Sequence, residues 1–259
     1  MLKTLIIFEF KNLFKAKWLF AYLGFYFVLT ESLYYFSNES VKVFISLLNI
    51  VLIVMPLVSI IYGVQHFYNS REYLQFLLAQ PIERKNIFIS NYISSFVATV
   101  GCFLVGTGLP LLAHEINNDL ALATVLLLSG TLLGGIFLSI GYYIANFFDD
   151  KAKGLGVAII TWFFLCFLYD GLMLGILYIF SDYPIEVPAL ILSMLNPNDL
   201  ARILITLLLD ISAMMGYTGA VYKNILGTKT GMIISIVMML IWFIIPLYLS
   251  IRKFNKKDF

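Results

Sequence analysis

The chain has 259 residues, of which 61% are hydrophobic and 12% charged, with a mean hydropathy of +0.93. These values lie outside the range of soluble globular domains and mark an integral membrane protein, and repeated apolar runs of about 20 residues mark it as all-α. A formal net charge of +2 excludes a basic surface large enough for nucleic acid, and the apolar runs leave no room for a soluble catalytic domain.

Residues 1–17 read as an amphipathic helix in the headgroup plane of the lipid, with Leu2, Ile6, Phe10, Leu13 and Phe14 on one side and Lys11, Asn12 and Lys15 on the other. Glu9, Lys11, Lys15 and Lys17 interrupt any apolar core, so this start is expected in the mature protein rather than in a signal peptide. Six segments can span a bilayer: 18–36, 43–67, 87–113, 120–147, 155–180 and 232–251. In the first, Glu31 stands near one end among Tyr34, Tyr35 and Phe36, where a carboxylate reaches water. The second holds Asn49 and Pro56, and the proline predicts a bend and a freed carbonyl that neighbours must satisfy.

Between the second and third spans, Arg71, Glu72, Glu83, Arg84 and Lys85 force the chain to surface. Asn69 can cap a helix there, with Glu72 reaching back, and Pro81 stops it, which predicts a helix over 69–81. Tyr73, Phe76, Leu77 and Gln80 share one face at spacings of three and four. That face needs a cover. Lipid headgroups, the protein's own helices and a soluble partner all satisfy the spacing.

The third span carries Ser94, Ala98, Cys102 and Gly106 at intervals of four, and the fourth carries Gly130, Gly134, Gly135 and Ser139, both patterns that let membrane helices approach closely. Asp149, Asp150, Lys151 and Lys153 make a second loop on the side of residues 69–81. In the fifth span Asp170 sits about halfway along, where an ionised group must face protein or water, and a protonated carboxyl or a buried hydroxyl or amide partner would meet that demand structurally. Its neighbours Gly171 and Gly175 suggest a face between two copies of the chain and a part in gating. Residues 181–231 are of intermediate polarity, and within them 201–220 is nearly long enough to cross but contains Arg202 and Asp210.

Charge sets the orientation. With the N-terminus inside, 13 Lys and Arg residues fall on the cytoplasmic side and four, Lys42, Arg202, Lys223 and Lys229, on the other. Both termini and the 69–81 helix are then cytoplasmic, and 181–231 forms helices that dip in or lie on the outer face. His66 and His114 fall on opposite sides and cannot share a metal or acid–base site. Met194, Met214 and Met215 lack Cys or His beside them and read as flexible filler, so no metal site or cofactor is assigned.

The run Arg71-Glu-Tyr-Leu-Gln-Phe-Leu-Leu-Ala-Gln-Pro-Ile-Glu-Arg84 resembles the coupling helix of ABC-2 type transporter permeases, a Gly-Thr-Leu-Glu-x-Leu-Leu pattern followed by Pro and Arg. Leu74, Leu77, Leu78, Pro81 and Arg84 stand where that pattern wants them, while Glu72-Tyr73 replaces Gly-Thr and Gln75 the acidic residue. The resemblance implies one transmembrane domain over 1–259 and a partner ABC ATPase that receives Arg71, Glu72, Tyr73, Leu74, Phe76, Leu77, Leu78, Pro81 and Arg84. It also implies a second copy of the chain and a bacterial inner-membrane location. The chain has no phosphate-binding G-x-x-x-x-G-K-[ST] motif of its own, since Gly227-Thr-Lys-Thr230 misplaces the lysine, so it is expected to be no enzyme.

Asn196-Pro197-Asn198-Asp199-Leu-Ala-Arg202 opens the 181–231 region, with Asn198 or Asp199 as a helix cap and Arg202 one turn beyond Asp199. Together with Tyr169-Asp170 and Phe254-Asn-Lys-Lys-Asp258, it resembles the permease type that serves nitrous oxide reductase maturation, the NosY type. That likeness implies support of copper-site assembly and a periplasmic β-helix partner met by the outer region, with Asn196, Pro197, Asp199 and Arg202 in the contact.

Overall fold

The computed structural model describes residues 2–13, 17–37, 39–115, 120–180, 186–209, 225 and 227–257. All regular structure among them is helical: α1 (Leu2–Leu13), α2 (Lys17–Phe36), α3 (Ser40–Asn69), α4 (Arg71–Leu78), α5 (Arg84–Glu115), α6 (Leu120–Phe147), α7 (Lys151–Phe163), a π-helical turn (Phe164–Leu168), α8 (Tyr169–Ile179), α9 (Glu186–Met194), α10 (Pro197–Leu209) and α11 (Thr228–Lys256). Six spans result, from α2, α3, α5, α6, the continuous α7–α8 unit and α11. This is an all-α, multi-pass membrane protein, in line with the six apolar runs.

The bundle is built around α6, which touches α3, α5, α7, α10 and α11. Its glycines set the spacing. A Cβ on Gly141 would stand 2.6 Å from the Ile60 carbonyl oxygen of α3, and one on Gly106 of α5 would stand 2.7 Å from that of Leu23 of α2, so in both places backbone lies on backbone. Gly130 and Gly134 instead make room for the Phe103 ring and the Met55 thioether. The small-residue row on α5 serves its N-terminal neighbours: Ser94 donates to the Ile6 carbonyl of α1 at 3.3 Å, and Gly106 receives α2.

Inside the bundle many polar groups pair across helices, as a dry interior favours. Tyr92 meets Ser139 at 2.8 Å, Tyr142 donates to Asn91 Oδ1 at 2.8 Å and meets Ser95 at 2.7 Å, and Asn146 donates to Ser250 at 2.8 Å. Pro56 leaves α3 unbroken. The carbonyl it frees, that of Leu52, receives the Cys166 thiol at 3.9 Å, and the next one, Ile53, receives the Trp162 indole at 3.2 Å.

The 181–231 region is described only in part; Asp210, Met214, Met215 and Lys223 lie outside the described residues. α9 and α10 meet at a bend of 113°. α10 does not lie on an outer face: it packs into the bundle against α11, α6 and α3, with Leu200, Ala201, Leu204 and Ile205 buried.

Candidate functional site

α4 joins α3 through one residue, Ser70, and is two turns long rather than three. Asn69 does not cap it but ends α3, and its side-chain oxygen accepts from Lys151 at 2.9 Å. Ser70 makes no side-chain cap; its hydroxyl donates to the His66 carbonyl at 2.8 Å. The helix stops at Leu78, with Pro81 in the irregular stretch beyond.

The expected docking face is divided by the structure. Leu74 and Leu77 are only 1% and 5% exposed, and they pin the helix to the ends of α3 and α5. Phe76 is 64% exposed, and Glu72, Gln75 and Gln80 share its outward surface. Tyr73 is half-buried and stacks on Phe8 of α1, with ring centroids 5.9 Å apart. Leu77 is therefore removed from the surface available to a partner, and Phe8 joins it. Burying one leucine pair to hold the helix while leaving a phenylalanine in water is the pattern of a fixed helix with a free contact.

Charges lock this end of the molecule together. Arg71 reaches the Asp149 carboxylate at 3.1 Å and its carbonyl at 3.2 Å. The same carboxylate receives Lys257 at 2.8 Å, and these cations, Lys257 foremost, hold it below the usual carboxylate range. Arg84 donates to the carbonyls of Asn255 and Lys257 at 3.3 and 3.0 Å, and Tyr68 to that of Phe148 at 2.7 Å. Arg71 and Arg84 thus bind their own chain, tying α4 to the 148–150 loop and the end of α11. Each such exposed pair contributes little alone, but together they fix α4 against three other segments.

Behind α4 lies a group that sequence reading did not single out. Glu9 of α1 is 5% exposed and faces α5 rather than water. Burial pushes its carboxyl up to about 8; Asn91 pulls weakly the other way but stands outside hydrogen-bond geometry, and neither carboxyl oxygen has a partner among the described residues. Asn91 in turn meets His66 at 3.2 Å. A carboxylate placed off the polar side of an amphipathic helix was the available signal.

The fifth span and the α9–α10 pair form a second cluster. The Arg202 guanidinium reaches Asp170 at 2.9 Å and Asp199 at 3.3 Å. Asn196 donates to the Leu165 carbonyl in the π-helical turn at 3.0 Å and accepts from the Asn198 amide at 3.1 Å. Asp170 and the Asn196–Arg202 motif, separate in the sequence reading, are one site. They correct the outer-contact reading as well: Asn196, Pro197 and Asp199 are buried, so they brace α10 against the fifth span and present no surface to a protein. The Asn196 contact falls within a π-helical turn, a rare irregularity that is frequent at functional sites.

At the far end of α5, His114 lies 3.2 Å from Glu31 and stacks on Tyr34. The two histidines are thus at opposite ends of the bundle, and no group of three or more His, Cys, Asp or Glu among the described residues could hold a metal ion.

Residues 4–259 match the family model of the ABC-2 family transporter protein. The chain belongs to that family. Similar curated proteins are the probable ABC transporter permease protein NosY of Stutzerimonas stutzeri, 25% identical over 170 residues, and that of Pseudomonas aeruginosa, 27% identical over 170 residues. The chain spans 61% of the length of each relative, and each match covers 61% of the chain. Membership of this family agrees with the multi-pass architecture of six spans.

Proposed function

We propose that this ABC-2 permease passes the motion of a cytoplasmic ATPase across the membrane through α4, and that the transporter it serves supports copper-site maturation of nitrous oxide reductase. The observation that carries the first part is a helix anchored by Leu74 and Leu77 and locked by Arg71 and Arg84, yet offering Phe76, Glu72, Gln75 and Gln80 outward. Lysines and arginines concentrated at this end support its cytoplasmic placement, with both termini inside. The second part rests on the Tyr169-Asp170, Asn196-Pro-Asn-Asp-Leu-Ala-Arg202 and Phe254-Asn-Lys-Lys-Asp258 likeness and on relatives named NosY.

In this reading two copies of the chain face each other across the membrane. The fifth span supports that arrangement: a Cβ on Gly171 or Gly175 would meet nothing among the described residues, and Leu172, Leu174 and Ile176 around them are exposed. ATP-driven closure moves α4; the charge lock carries the movement to the 148–150 loop and the fifth span, and Asp170 hands it through Arg202 to α10. A bistable packing of the spans then changes the outward face, where a periplasmic β-helix protein is met.

The discriminating experiment contrasts two neighbours. Phe76→Asp should fold and insert normally but lose copurification of the ATPase by roughly 30-fold or more, the loss expected of an aromatic hot spot. Leu77→Asp should lower yield and thermal stability, because it puts a charge into the packing under α4. Unchanged ATPase binding in Phe76→Asp rejects the coupling assignment. For the maturation reading, a strain lacking this gene should produce nitrous oxide reductase without its copper absorption bands; intact bands in that strain reject it.

A further inference from the structure

Where α6 and α11 leave the bilayer at the end that carries α4, they flank a cleft of about 320 Å³ lined by Asn146, Phe147, Asp149, Lys253, Lys256 and Lys257. The coupling and outer-face readings leave most of this lining unused. Three lysines face one carboxylate, and that carboxylate is already matched by Lys257 at 2.8 Å and Arg71 at 3.1 Å. Lys253 and Lys256 are exposed and enter no ion pair among the described residues, so among these the cleft holds more lysines than carboxylates. Lys253 is also positioned, with its Nζ 4.9 Å from the centre of the Phe147 ring.

A second observation lies at the back of the cleft. Asn146 is fully buried, its Nδ2 donates to Ser250 at 2.8 Å, and its Oδ1 has no partner. The two ends of an amide are interchangeable in such an assignment. With the amide turned over, the Ser250 hydroxyl donates to Oδ1, and the Asn146 backbone carbonyl accepts from Lys257 at 3.1 Å, so this residue closes the back of the cleft. The cleft then offers the Lys253 and Lys256 cations to one anion.

We propose that this cleft binds a phosphate group, carried by an anionic phospholipid of the leaflet on which it opens. The shared chemistry is a phosphate anion, which could reach the lysines from lipid or from solution. The position decides for lipid: the cleft stands at headgroup level between two spanning helices, its rim is the apolar Phe147 ring, and basic residues just beyond a span attract anionic headgroups. Lys257 links the site to Asp149 and so to Arg71 at the base of α4, which gives bound lipid a route to the docking helix; that route alone rests on the coupling reading.

The test uses the full chain in lipid nanodiscs, released in the gas phase and weighed with the lipids it retains. The wild type should retain phosphatidylglycerol over phosphatidylcholine, and Lys253→Gln with Lys256→Gln should lower that preference by about 25-fold, at about fivefold per lysine near the surface. Lys253→Arg with Lys256→Arg should keep it, which separates lost charge from lost folding. Lys42→Gln with Lys229→Gln, away from the cleft, should leave it unchanged. Equal phosphatidylglycerol retention by the glutamine variant overturns the site. Displacement of the lipid by millimolar inorganic phosphate overturns the lipid source, whether or not α4 binds an ATPase.

Discussion

Single residues decide how this permease responds to pH and to lost charge. Glu9 lies outside the six spans, and its carboxyl is pushed up to about 8 by burial. An acid with a raised folded pKa holds its proton in the native state while the unfolded chain has already released it, so stability falls as pH rises from the ordinary carboxylate value near 4.3 to about 8, and levels off above that. Glu9→Gln should therefore raise the melting temperature more at pH 8 than at pH 5. An equal shift at both values, measured by thermal denaturation in one detergent, would mean that Glu9 ionises freely. The Asp170, Arg202 and Asp199 cluster makes an asymmetric prediction. Asp170→Asn leaves Arg202 paired with Asp199, whereas Arg202→Met leaves two carboxylates facing each other across the fifth span and α10. Arg202→Met should be the more destabilising by about 1 to 3 kcal/mol, a figure reduced for the partial exposure of both partners. Thermal stability of the two variants side by side checks it.

At the scale of helices, the six spans were legible because a bilayer demands long apolar runs and nothing else in the chain supplies them. The existence of α4 was legible from its charges and from Pro81. Its facing was not, because leucines spaced by three and four show which residues share a side but not which side turns inward, and here the leucines hold the helix while Phe76 faces out. The capping box failed because α3 continues through Asn69, whose amide is taken by Lys151. The π-helical turn leaves no mark on composition. The Asp170–Arg202 pair, 32 residues apart, leaves no local mark either, although two charges within apolar segments each required a partner. Of the small-residue rows, Gly106 brings backbone onto backbone while Gly130 and Gly134 admit side chains, and the backbone contact of the fourth span is at Gly141, outside those rows. Gly141→Ala and Gly106→Ala each drive a methyl to within 2.6 and 2.7 Å of a carbonyl oxygen on another helix, which only a shift of the helix can relieve. Each should cost about 1 to 3 kcal/mol, the range for overpacking. Gly156→Ala, where a Cβ meets nothing among the described residues, should cost none of that. Comparable losses for all three in a denaturant titration would show that helix spacing is not what these glycines serve.

For the whole molecule the question is which spans remain uncovered. The second, third and fourth spans are about half buried within the chain, while the first, fifth and sixth are 22%, 22% and 17% buried. Lipid can cover an apolar face, but it gives no reason for Gly171 and Gly175 to stand on one next to an ion pair. A second copy does, since small residues let two backbones approach at the depth of Asp170. In a background with Cys102→Ala and Cys166→Ser, the serine keeping a donor for the Leu52 carbonyl, Gly175→Cys should cross-link into a dimer under mild oxidation. A cysteine in place of Val237 on α11, an exposed position on another span, should not. Cross-linking that changes on adding ATP and the partner ATPase would tie this face to the movement begun at α4. Efficient cross-linking at Val237 with none at Gly175 would put the second copy against α11 and leave the fifth span to lipid.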